Sequence, residues 1–142
     1  MKCVSRRSFL AASAGSLLAA SAKPVRLGAP VFLKSDDPRE LAREHRRLGY
    51  SAAYCPKAAT VDNPALLAEI RKAFAAENVV IAEVGAWVNM LDPDSEKRRA
   101  NLRYVTERLA LSEAIAARCC VDIAGSYHPT VWYGPNKKNL SR

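Results

Sequence analysis

The 142 residues are 49% hydrophobic and 25% charged, a balance that supplies a core and excludes a disordered chain. The formal charge is +8, and removing Lys2, Arg6 and Arg7 of the first segment leaves +5 for the rest; that excess is interleaved with acids along helical patterns, beside no aromatic or glycine-rich binding pattern, so no nucleic-acid partner is expected. The cysteines Cys3, Cys55, Cys119 and Cys120 have no Cys-x-x-Cys spacing, so no disulfide framework follows, and adjacent Cys119 and Cys120 read as small buried hydrophobes on opposite faces of a strand and not as a metal pair.

In chain order, residues 1–22 read as a targeting segment. Ser5-Arg6-Arg7-Ser8-Phe9-Leu10 precedes a weakly apolar run, Ala11 to Ala20, and an Ala20-Ser21-Ala22 end. This resembles a twin-arginine signal peptide, which implies an exported, periplasmic protein. The run is shorter than the ~20 apolar residues that cross a bilayer, so no membrane association is expected beyond the export signal.

Residues 23–142 alternate short apolar runs with helical patterns. Strands are expected at Leu27 to Leu33, Ala52 to Cys55, Val79 to Ala86 and Cys119 to Ala124. Their continuous apolarity fits a parallel sheet covered on both faces. Asp37-Pro38, Asn63-Pro64 and Asp92-Pro93 announce the three helices between them: the side chain accepts from an orphan N–H, and proline lacks the donor that the first turn would waste. Glu40 completes a capping-box pattern and Gly49 is the expected left-handed stop. The faces expected to be buried are Leu41, Ala42, His45 and Leu48 in the first helix and Leu66, Leu67, Ile70 and Phe74 in the second. In the third they are Leu102, Val105, Leu109 and Ser112 to Ala116, widened by Leu111 and Ile115. The fold class is α/β, as a barrel or an open sheet. A dinucleotide-binding open sheet is disfavoured, because Lys34-Ser35-Asp36-Asp37 stands where a Gly-x-Gly-x-x-Gly turn is needed.

The stretches Ile81 to Leu91 and Ala116 to Ser126, with the tail Trp132-Tyr133-Gly134-Pro135-Asn136 to Asn139-Leu140-Ser141, resemble the xylose isomerase-like superfamily of TIM barrels, in its sugar phosphate isomerase/epimerase branch. The resemblance implies a partial (β/α)₈ TIM barrel of about four parallel strands with three covering helices, the N-terminal half of a fold that needs about 250 residues. It implies further that the full-length parent shifts a proton or hydride on a sugar or polyol with the help of a divalent metal cation. The Glu, Asp, His and Glu ligands of that cation belong to later strands, so no metal ligand is assignable in this chain and the fragment alone is expected to be inactive.

Barrel sites gather at the C-terminal ends of strands, which selects Tyr54 and Cys55 after the second expected strand, Trp87 and Asn89 after the third, and Gly125, Ser126, His128 and Trp132 after the fourth. Trp87 can stack on the apolar face of a sugar ring or simply plug the barrel mouth. Asn89 can bond a hydroxyl, and His128 a hydroxyl or phosphate unless it is an exposed loop residue without a role. Glu83, inside an apolar strand, is costly to bury unpaired; it is read as the partner of a basic residue of another strand, or as an acid facing substrate. Strand parity places Glu83, Gly85 and Trp87 on one face. The competing functions are an exported, non-catalytic sugar-binding protein on the same scaffold and an endonuclease-like metal phosphodiesterase, whose several ions would require histidines at strand ends where only His128 stands.

Overall fold

The structure is a computed structural model and describes residues 25–140; the signal-peptide reading of residues 1–22 lies outside the described residues. Helix α1 (Pro38–Arg47) is followed by strand β1 (Ala52–Tyr54), α2 (Pro64–Ala76), β2 (Val80–Ala86), α3 (Ser95–Ala114), β3 (Cys119–Asp122) and a 3-10 turn (Lys137–Leu140). The strands form one parallel sheet in the order β1-β2-β3. This is an α/β architecture, as the alternation predicts.

The helix starts follow capping chemistry. Asp37 accepts from the Arg39 N–H at 2.8 Å, and Asn63 from the Leu66 N–H at 3.0 Å. In α3 the cap is Asp94, accepting from the Glu96 N–H at 2.8 Å, and not Asp92, whose carboxylate accepts from the Asp94 N–H at 2.9 Å. Asp92-Pro93 therefore shapes the approach, and the next acid caps. The helix ends share one device: the chain turns left-handed at Gly49 (φ 81°), Asn78 (φ 52°) and Ala116 (φ 59°), and the next N–H reaches back to His45, Phe74 and Ser112 respectively at 2.9 Å.

The expected first strand does not form as one. Residues 25–36 run as an extended strap that meets the sheet only at a parallel bridge from Gly28 to Ala52. Pro30 has no N–H to continue a ladder, and Val25, Leu27 and Phe32 are exposed. Arg26 fastens the strap at its start, donating to the carbonyls of Ser51 at 3.1 Å and Asn78 at 2.8 Å.

The core lies between the sheet and the helices. Leu67, Ile70 and Phe74 of α2 and Leu111 and Ile115 at the end of α3 pack with Val79, Ile81 and Val84. The opposite face of the sheet is uncovered among the described residues, so the strands are apolar without being covered on both sides. In α1, Ala42 and His45 are buried but Leu48 is exposed. In α3, Leu102 and Leu109 are exposed, contrary to the expected stripe. The sheet-facing row is instead Arg98, Asn101, Val105, Arg108, Ser112 and Ile115, polar toward its N-terminal end because that half of the helix rises past the strands to meet their loops.

Candidate functional site

The face of β2 changes phase part-way along the strand. Ala53 pairs with Ile81 but the next residue, Tyr54, pairs with Glu83, so Ala82 is an extra residue in a β-bulge. Val79 and Ile81 before it are buried, and so are Val84 and Ala86 after it: odd-numbered residues face the core up to the bulge, and even-numbered ones beyond it. A bulge re-aims the side chains that follow. Its effect here is to put Glu83 on the uncovered face; in an unbroken strand Glu83 would share the core face with Ile81.

Glu83 lies in a row across the sheet, paired with Tyr54 on one side and Cys119 on the other. Its Oε1 is buried without a hydrogen-bond partner. The ion pair expected of it is not formed: the salt bridges of the described residues are Arg43–Glu77, Arg47–Glu44 and Arg99–Glu96. Cys119 is exposed rather than buried, its thiol donating to the Ala82 carbonyl at 3.4 Å, while Cys120 packs toward the core.

The Trp87 indole folds back over Gly85, where a Cβ would come within 2.2 Å of the indole Nε1, so the parity of Gly85 and Trp87 holds. Trp87 is 61% exposed; it does not plug anything among the described residues. The Gly85 carbonyl accepts from Arg108 Nε at 3.1 Å, which ties the end of β2 to α3.

Asn89 has a different setting from the one expected. Its Oδ1 accepts from the N–H groups of Ser126 (2.9 Å) and Leu91 (3.1 Å), and its Nδ2 donates to the Ser126 carbonyl at 2.9 Å. The side chain stitches the loop after β2 to the loop after β3. Gly125, at φ 82°, passes so close to Asn89 that a Cβ would overlap the amide. Ser126, 1% exposed, carries the stitch onward: its hydroxyl donates to the Gly134 carbonyl at 2.5 Å and accepts from Asn139 Nδ2 at 2.9 Å. Ser126 is among the strand-end residues that the sequence selects, whereas Asn101 and Asn139 are not. The signal that marks them is polar residues recurring on a helix row or after a strand beside the glycine of a tight turn.

His128 is also engaged. Its Nδ1 accepts from the N–H groups of Val131 at 3.1 Å and Thr130 at 3.3 Å, so the ring shapes its own loop, and its neutral form carries the proton on Nε2. Trp132 stands edge-on to Tyr133, ring centres 5.0 Å apart, and both are exposed. The structure thus brings Asn89 to the loop of His128 through Ser126.

Comparison with protein-family models, with curated proteins and with solved structures returns no match. No three His, Cys, Asp or Glu side chains gather to hold a metal ion among the described residues, and no helix among them is long and apolar enough to cross a membrane.

Proposed function

We propose that this chain is one wall of the substrate pocket of an exported sugar isomerase/epimerase-like protein, built as part of a (β/α)₈ barrel and acting on a sugar or polyol. The observation that carries the reading is the bulge at Ala82. It turns a carboxylate onto an uncovered sheet face, on the side where the Trp87 indole lies over Gly85. An exposed indole supplies a flat apolar platform for the C–H face of a sugar ring, and a carboxylate on the same face can accept a hydroxyl hydrogen. Asn89 and Ser126 hold the loops that frame this end of the sheet and are positioning groups in this reading. A divalent cation, where such an enzyme uses one, polarises adjacent oxygens; the described residues do not fit it, so its ligands would come from another part of the barrel.

Xylose or a related free sugar, added to the full chain, is expected to bind at millimolar concentration, a few kcal/mol in all, moving the Trp87 indole N–H resonance but not that of Trp132. Trp87→Ala should abolish binding and Glu83→Gln should weaken it several-fold. Unmoved Trp87 and backbone resonances along Glu83 to Trp87 at saturating sugar would refute the reading. Export is tested separately: Arg6→Lys with Arg7→Lys should retain the protein in the cytoplasm, and unchanged export would remove the periplasmic assignment.

A further inference from the structure

We propose that the cleft between the strap and the β1–α1 unit is a second small-molecule site, for a compound with an apolar ring and an anionic head. The cleft has a volume of about 780 Å³, within the range of pockets that enclose a small ligand. Its floor is apolar and rigid. Phe74 is 2% and His45 4% exposed, their rings 5.7 Å apart, and His45 Nδ1 donates to the Leu41 carbonyl at 2.8 Å, so the histidine is fixed within the floor.

The roof is the strap, anchored at both ends. Gly28 holds one end to β1, and Ser35, donating to Glu40 at 2.6 Å, holds the other to α1. The largest side chain between these anchors, Phe32, is 93% exposed. It leaves the space beneath unfilled, whereas protein interiors close such space with their own side chains.

The rim carries the charge. Lys34 and Lys57 both line the cleft and neither forms a salt bridge within the described residues. Asp36 stands on the same rim, so the balance is one positive charge, placed over an apolar floor where an anionic head keeps its water and a ring loses it. The floor belongs to the helix layer, and although Tyr54 of the cleft wall neighbours Glu83 across the sheet, nothing in this site depends on Glu83 or Trp87, so it does not rest on the isomerase reading.

Phenyl phosphate is the probe and benzyl alcohol its uncharged control, both titrated into the full chain while backbone amide resonances are followed. Phenyl phosphate is expected to shift Lys34, Ser35, Lys57 and Ala58 in a saturable way. Lys34→Gln with Lys57→Gln should weaken it about tenfold, as expected for lost charge-assisted bonds, while leaving benzyl alcohol unchanged. Ala58→Phe, which fills the cleft, should abolish both. Shifts confined to other regions, affinity indifferent to the two lysines, or a contact between the Phe32 and Phe74 rings in the free protein, showing that the strap closes on its own cleft, would each overturn the proposal.

Discussion

Asn89 makes three hydrogen bonds with one side chain, two of them joining loops 37 residues apart in sequence. Replacing it with alanine strands buried polar groups on both loops, and Asn89→Ala should cost about 1–3 kcal/mol, read by chemical denaturation. His128→Asn should be tolerated better than His128→Ala, because an asparagine oxygen can accept from the N–H two residues on as Nδ1 does now; the difference is measurable as amide exchange at Thr130 and Val131. Among the thiols, burial pushes Cys55 up from its ordinary range. A raised folded-state value means that the neutral thiol is favoured in the fold: the stability it contributes is complete below the unfolded value and is lost as pH climbs through the folded one. Iodoacetamide should accordingly modify exposed Cys119 first and Cys55 only under more alkaline conditions, and peptide mapping would show the order. At this scale the sequence was least informative. It identified Asn89 and His128 as polar residues at strand ends, but a contact with a loop 37 residues away leaves no local trace.

The elements were legible where the signal is local. Asp37, Asn63 and Gly49 act as their chemistry dictates, since a cap needs only its own turn. What misled was periodicity in α3: Leu102 and Leu109 look like a core stripe, yet Asn101 and Arg108 occupy the row that meets the sheet and its loops. Apolar count alone does not find a helix face whose neighbours are carbonyls. The strap failed as a strand for a related reason, because a run of apolar residues interrupted by Pro30 gives burial tendency without a continuous ladder. The three helix ends offer a clean comparison, with Gly, Asn and Ala at the same left-handed position. Alanine is the poorest of these there, so Ala116→Gly should stabilise the fold by about 1 kcal/mol, seen as a higher melting temperature, whereas Gly49→Ala should lower it by a similar amount.

For the whole molecule, alternation of strand and helix correctly indicated a parallel α/β sheet, and one face of that sheet has its cover. The other face and the strap edge carry Tyr54, Trp87, Leu27 and Phe32 in the open, an apolar surface of the kind that soluble chains bring against something else. Whether that complement is further barrel or another molecule is not written in local sequence, because closure depends on residues that pair across the whole fold. The uncovered face predicts that the isolated chain self-associates as concentration rises, and sedimentation should show the mass increasing.

The bulge at Ala82 makes β2 two strands in one. A systematic substitution of its residues by lysine should give harm at Val79 and Ile81, then at Val84 and Ala86, a rhythm that skips a beat in the middle. Deleting Ala82 would make Ile81, Glu83 and Val84 consecutive, so that plain alternation keeps Glu83 on the open face with its neighbours inward, and the same lysine series should then fall in an unbroken rhythm.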